Sequence, residues 1–377
     1  MAFLSQLGRI LTSQTEANDI VARFGGDEFV VAFCGLELEM IEPRVRTILK
    51  HCSQPLLAEG VSITSSVSIG VASISESNSL PDTLAEADAA LYFAKSAGRN
   101  QFAIYGDSMG EQLRRRVELE TLVKNATENG SFTIDYQPLV AGDDFHLIGY
   151  EALLRLKNED GKSIPPLDFI PLAEDMGLID KIGSWVIYTA TKDISMQPGE
   201  LKVSVNLSVV QFRSGDLPKV VADALSKSGL PANRLELEIT ESLLLGDDPV
   251  ILYQIDALRE MGISIAMDDF GTGYSSLGYL WRYGFDRIKI DQSFVSGLQN
   301  SPERSLEILE SVVMLGKKLG MEVTAEGVET EEQSKILAKL GCDVLQGFKF
   351  GKPGPMPTVC GAMAEEHTEP FLKSRES

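Results

Sequence analysis

Histidine is scarce in this chain, with three in 377 residues: His51, His146 and His367. None lies in an H-E-x-x-H motif or a His–Asp pair, which argues against zinc hydrolases and other histidine-rich metal sites. Cysteine is nearly as sparse. Cys34, Cys52, Cys342 and Cys360 form no C-x-x-C pair and read as free thiols in a reducing compartment. No G-x-x-x-x-G-K-[ST] loop is present, so ATP hydrolysis is not indicated. No apolar run approaches the roughly 20 residues of a membrane helix. The opening MAFLSQLGRILTSQ is apolar at helical spacing but lacks a signal-peptide cleavage pattern, and the expectation is a cytoplasmic protein. Positive charge is in deficit, with 34 Lys and Arg against 55 Asp and Glu, for a net charge of −21. Non-specific binding to a nucleic-acid backbone is therefore not expected, and an anionic substrate would need metals or local cations beside it.

Acidic tips on short apolar runs are abundant instead. The runs IGYEALLR, VSVNLS, LELEITES, ISIAMDDFG, RIKIDQSF, EVTAEGVE and VLQGFKF end in Glu151, Asn206, Glu238, Asp268 with Asp269, Lys289, Glu326 and Gln346. From Glu151 onward the steps are 55, 32, 30, 21, 37 and 20 residues, read as about one strand plus one helix each. That is the period of an α/β (β/α)₈ barrel, in which catalytic groups project from the C-terminal ends of different strands. Taken singly, each residue has a plain structural use. Glu151 could be a solvated strand end, Asn206 a helix cap, and Glu326 an acid favoured by a helix N-terminus. Taken together, carboxylates converging on one barrel mouth repel one another unless cations lie between them. Glu236 and Glu238 share a strand face, and a carboxylate pair buried there demands compensation. Asp268 and Asp269 are adjacent at a strand end and can diverge to serve two cations. A glycine-rich loop, FGTGYSS, follows them. Lys289 lies inside an apolar strand and needs an acidic partner. Glu329 could buttress Glu326, and Gly327 permits a close backbone approach.

Residues 1–107 read as a separate α+β block. A helix over 1–14 precedes the strand pair DIVARF and EFVVAFCG, turned at Gly25-Gly26. A helix near 39–53, a strand VSITSSVSIGVASI, a helix LAEADAALYFAKSAG ending at Gly98, and a strand NQFAIY complete it. Residues 108–130 read as a charged connecting helix that opens the second domain and ends at Asn129-Gly130. The barrel pattern fills 131–363, and residues 364–377 read as a flexible tail.

These motifs resemble those of EAL-domain cyclic-di-GMP phosphodiesterases. Glu151-Ala152-Leu153, Tyr136-Gln137-Pro138, FIPLAEDMGLI, NLS, ELEITES, DDFGTGYSSL, KIDQSF, AEGVE and QGF carry the likeness, which spans about 112–363. It implies two-metal hydrolysis of one phosphodiester bond, giving linear pGpG, in bacterial second-messenger signalling. It implies that Glu151, Asn206, Glu238 and Asp268 hold one Mg²⁺ or Mn²⁺, and that Asp268, Asp269 and Glu326 hold a second. Lys289 would orient water, and Glu241 would anchor the DFGTGYSS loop. Gln137, Leu154, Arg155, Asp291, Gln346 and Phe350 resemble substrate contacts. Leu156 departs from the family, in which many members carry Trp. A homodimer through the barrel is a further implication. The alternative reading is a catalytically silent cyclic-di-GMP receptor, but receptors of that type usually lose metal ligands, and none is lost here.

The first block resembles part of a GGDEF diguanylate-cyclase domain through Arg23-Phe24-Gly25-Gly26-Asp27-Glu28-Phe29, SVSIGVA and ADAALYFAKSAGRNQ. Gly25, Gly26, Asp27 and Glu28 keep the active spelling. The resemblance begins after the strand that carries another metal-binding Asp in that family, and Glu16 stands where an inhibitory R-x-x-D site needs Arg before Asp19. The expectation is a truncated first domain or a misplaced start codon, without cyclase activity. The neighbours of the missing strand would then be left with unpaired backbone and exposed apolar side chains.

Overall fold

The computed structural model describes residues 2–54, 56–58, 61–63, 66–74, 78–240, 248–271, 280 and 283–357. The chain divides into two compact units, Met1–Glu118 and Leu119–Ser377. No helix among the described residues is long and apolar enough to cross a membrane.

In the first unit, helix α1 (Ala2–Ser13) leads to an antiparallel hairpin of β1 (Ile20–Gly25) and β2 (Glu28–Ala32). Gly26 turns it with φ +47°, a conformation that favours glycine. Helix α2 (Leu38–Cys52) buries Ile48 and Cys52 against Leu7 and Leu11 of α1. The 61–74 segment, expected as one strand, is two. β4 (Val61–Ile63) pairs antiparallel with β3 (Leu56–Ala58), whereas β5 (Ile69–Val71) pairs parallel with β6 (Phe102–Ile104). Helix α3 (Leu80–Ser96) lies flush on β5, so that a Cβ on Gly70 would sit 2.0 Å from the Ala87 carbonyl oxygen. Among the described residues these strands form three separate two-stranded sheets, and Ile20 and Phe24 of the hairpin are exposed. Asp19 is used locally: its carboxylate accepts from the backbone N–H groups of Glu16 (2.8 Å) and Cys34 (2.9 Å).

Helix α4 (Asp107–Asn129) crosses the division and ends at Gly130, φ +70°. Beyond it, eight strands close a barrel. They are β7 (Thr133–Ala141), β8 (Leu147–Lys157), β10 (Lys202–Leu207), β11 (Leu235–Thr240), β12 (Ser264–Phe270), β13 (Arg287–Ile290), β14 (Glu322–Ala325) and β15 (Val344–Gln346). A short β9 (Ser163–Ile164) pairs only with the far end of β8. The barrel differs from a regular (β/α)₈ in one strand. β7 runs antiparallel to both neighbours, β15 and β8, because only the short turn 142–146 separates β7 from β8 and a parallel return needs a crossover.

The parallel strands alternate, except at a bulge near the end of β12. Val203, Val205, Leu235, Leu237, Ile265, Met267 and Ile288 join the hydrophobic cluster formed with the surrounding helices. Ser204, Glu236, Glu238, Arg287 and Lys289 are also buried, but they occupy the other strand face and bond to one another. The barrel interior therefore carries a column of charge, while most of the aliphatic side chains lie on the outer face of the strands. The outer layer includes α5 (Pro166–Asp175), α6 (Ile179–Ser195), α7 (Val209–Arg213), α8 (Leu217–Ser228), α9 (Pro249–Glu260), α10 (Gln292–Asn300), α11 (Pro302–Leu319) and α12 (Glu331–Leu340). Leu156, in the family's Trp position, is fully buried in the outer cluster.

Candidate active site

Lys289 occupies the centre of the barrel mouth. It comes from β13, where period-2 alternation sends Ile288 and Ile290 outward and Arg287 and Lys289 inward. Its Nζ lies 2.5 Å from Glu238 Oε2, 2.6 Å from Glu326 Oε1, 3.1 Å from Asp268 Oδ1 and 3.8 Å from Glu151 Oε1. Burial disfavours the lysine's charge, but Glu151, Glu238, Glu326 and Asp268 together lift its pKa well above the ordinary value. Four carboxylates share this one ammonium. Burial pushes Glu238 well above the usual carboxylate range against the pull of Lys289, and Glu151 and Asp268 push the same way. Burial likewise raises Glu326 to about 7.

Around this centre, Asn206 Nδ2 donates to Glu151 Oε1 at 2.6 Å, and Gln346 Nε2 donates to Glu151 Oε2 at 2.5 Å. Gln346 Nε2 also lies 3.1 Å from Gln137 Oε1, and Gln137 Nε2 donates to the Gly351 carbonyl at 3.4 Å. The Asp pair depends on a bulge. The pairing of β12 with β13 sets Met267 opposite Ile288 and Phe270 opposite Ile290, three residues against two. Asp269 takes up the extra residue with φ +55°. Strict alternation would put adjacent side chains on opposite faces. With the bulge, Asp269 stays within the field of the site: burial and then the charges of Asp268 and Asp291 raise its carboxyl pKa.

The donor set fits divalent cations with oxygen ligands. Glu151, Asn206, Glu238, Asp268, Asp269 and Glu326 offer hard oxygens and no sulfur or imidazole. Glu238 Oε1 is buried with no hydrogen-bond partner among the described residues, which is costly for a carboxylate unless a cation takes it up.

The other expected site residues are dispersed. Arg155 is drawn to Asp135, with Nε to Oδ2 at 2.8 Å, at the open end of the β7–β8 pair. Asp291 caps α10, accepting from Ser293 N at 3.0 Å. Leu154 packs on the outer hydrophobic cluster, and Phe350 is buried against Phe145 with ring centroids 5.8 Å apart. Glu329 is exposed ahead of α12, while Gly327, φ +69°, lets the chain pass Gln292. Glu241, Cys360, the tail and most of the FGTGYSS loop lie outside the described residues. In the first unit Gly25, Gly26, Asp27 and Glu28 are all exposed at the hairpin turn.

Sequence reasoning placed Glu236 beside Glu238 but missed its partners, Arg287 and Ser204, in a second layer beneath the first. Arg287 Nη1 donates to Glu236 Oε1 at 2.9 Å, Arg287 Nη2 lies 2.6 Å from Glu322 Oε2, and Ser204 Oγ donates to Glu236 Oε1 at 2.8 Å. The signal was present, since Arg287 and Glu236 each precede a site residue by two on the same strand face. A His–Asp pair, not expected, does exist: His146 Nδ1 lies 2.5 Å from Asp144 Oδ1. It stands with Asp143 on the exposed turn between β7 and β8, where the antiparallel strand carries it to the barrel end opposite the site.

A family model described as EAL domain matches residues 120–353, and one described as diguanylate cyclase, GGDEF domain, matches residues 2–101. An uncharacterized signaling protein of Caulobacter vibrioides is 38% identical over 95% of this chain and 44% of its own length. The bifunctional diguanylate cyclase/cyclic di-GMP phosphodiesterase MucR of Pseudomonas aeruginosa is 35% identical over 96% of this chain and 53% of its own. The chain thus spans about half the length of the curated relatives it matches. Among solved structures, the PaMucR phosphodiesterase in complex with c-di-GMP superposes with a TM-score of 0.60 at 39% identity, covering 63% of this chain and 98% of that one. The FimX EAL domain from Pseudomonas aeruginosa bound to c-di-GMP gives 0.58 at 28% identity, covering 64% and 98%.

Proposed function

This chain belongs to the EAL domain family and carries a GGDEF-family unit ahead of its barrel, and from that premise we propose that the barrel hydrolyses cyclic di-GMP to linear pGpG with two divalent cations, Mg²⁺ or Mn²⁺. The observation that carries the reading is the excess of carboxylate around Lys289, with Glu238 Oε1 buried and without a hydrogen-bond partner among the described residues. The cyclic-di-GMP complexes of the PaMucR phosphodiesterase and the FimX EAL domain support the choice of substrate.

Glu151, Asn206, Glu238 and Asp268 would hold one ion, and Asp268, Asp269 and Glu326 the other. Bound there, the ions would acidify a water and offset the negative charge that develops on the phosphoryl oxygens. The chain does the positioning. Lys289 holds its ammonium among the ligands, where its N–H donors can orient the attacking water. Gln346, from β15, donates to Glu151 Oε2 and to Gln137 Oε1, and so holds the Glu151 carboxylate against β7. Arg155, at the mouth, is placed to pair with a phosphate or a guanine edge once it leaves Asp135. The reaction forms one P–O bond from water and breaks one P–O3′ bond, leaving the 5′-phosphate of pGpG.

The test is incubation of the purified chain with cyclic di-GMP and Mg²⁺ or Mn²⁺, following pGpG. Turnover that disappears in Glu151→Ala supports the proposal. Binding of cyclic di-GMP without turnover under either metal overturns it in favour of a receptor.

A further inference from the structure

Two of the sequence motifs have no part in the chemistry so far: FIPLAED, which forms α5, and the serine of NLS. They meet. Ser208 Oγ donates to Glu174 Oε1 at 2.5 Å, joining the end of α5 to the turn just beyond Asn206. We propose that Glu174 is a positioning residue that sets the direction of Asn206 through Ser208. The inference rests on the reading of Asn206 as a metal ligand.

Three observations lead there. First, Asn206 needs outside guidance. It is the penultimate residue of β10, and its side chain is exposed at the mouth. Its Nδ2 is committed to Glu151 Oε1, so the aim of Oδ1 is set by the backbone that carries it. Second, that backbone is clamped two residues on. Ser208 is extended (φ −79°, ψ 145°) and caps α7: its Oγ accepts from Val210 N at 3.1 Å, and its own N–H donates to Gln211 Oε1 at 2.9 Å. With its hydroxyl proton given to Glu174, Ser208 is held on three sides. Gln211 is itself fixed, buried over Gly183 of α6, where a Cβ would lie 2.2 Å from Gln211 Nε2. Third, Glu174 is poorly placed for any purpose of its own helix. It lies in the last turn of α5, where the helix dipole disfavours a carboxylate. A hydroxyl-to-carboxylate bond of this length is of the strong, charge-assisted kind and gives the residue a reason to be there. Helices α5 and α6 therefore both grip the cap that ends β10, and two residues of strand, about 7 Å, separate that grip from Asn206.

The experiment measures Mn²⁺ affinity of the full chain by calorimetry, without substrate. The variants are Glu174→Leu, Glu174→Gln, Asn206→Ala and the double variant Glu174→Leu with Asn206→Ala. Glu174→Leu is expected to weaken Mn²⁺ binding about tenfold, the scale on which residues behind a metal ligand act. Glu174→Gln keeps an oxygen that accepts from Ser208 and is expected to restore affinity. In the Asn206→Ala background, Glu174→Leu should cause no further loss, because the residue it acts through is gone. Should Glu174→Leu fail to fold, Ser208→Ala carries the same expectation. Equal losses in both backgrounds, or wild-type affinity in Glu174→Leu, would overturn the inference while leaving Asn206 a ligand. A wild-type chain that binds no Mn²⁺, or one whose affinity is untouched by Asn206→Ala, would remove the ligand reading and the inference together.

Discussion

Lys289 is stable as an ammonium inside the barrel because its charge is met by Glu238, Glu326, Asp268 and Glu151. Removing it should leave an uncompensated acidic cluster. Lys289→Met is expected to destabilise the metal-free protein by about 3 kcal/mol in urea titrations, with part of the loss recovered in saturating Mn²⁺. Glu326 gives a pH prediction of definite sign. Its folded pKa, about 7, is above the ordinary 4.5, so folding favours its protonated form. That contribution is fully present below pH 4.5 and is lost as pH rises through 7. Unfolding in EDTA should show stability falling across this window by about 2–3 kcal/mol, whereas a flat or rising profile would contradict the assignment. Lys289 was legible as a lysine inside an apolar run. The strength of its environment was not, because four of its neighbours come from β8, β11, β12 and the end of β14, each far away in sequence.

At the scale of elements, the bulge in β12 decides whether Asp268 and Asp269 serve one site. The left-handed backbone of Asp269 tolerates Asn or Gly but not a β-branched side chain. Asp269→Val should cost about 1–3 kcal/mol of stability, while Asp269→Asn should keep wild-type stability and, on the proposed two-cation reading, lose metal affinity alone. The adjacent aspartates were legible as a strand end. The bulge was not, because it is a difference in count between β12 and β13, and one strand's sequence does not contain it. The same holds for β7. Its alternation marks a strand, but its antiparallel direction follows from the short turn into β8 and its place between β8 and β15.

At the scale of the whole molecule, the two units carry separate cores, and damage to one should stay local. Gly70→Ala would drive a methyl into the backbone of α3 and is expected to destabilise the first unit by about 1–3 kcal/mol. Limited proteolysis should then cut within residues 1–118 and spare the barrel. Thiol labelling offers an independent check. Cys34 is exposed, Cys52 is buried, and burial raises the Cys342 thiol to about 12. Iodoacetamide should modify Cys34 in the native protein and reach Cys52 and Cys342 only on unfolding.

The chain alone determined its periodicities. Strand-plus-helix spacing, acidic tips and alternating strand faces follow from local order, and they were enough to name the barrel. Tertiary structure decided which carboxylates gather around Lys289, that Arg287 and Glu236 lie beneath them, and that the end of α5 meets the turn after β10. Those are distances between residues far apart in sequence, created only when β8 closes on β10 and the inner faces of eight strands are forced into one small, poorly solvated volume.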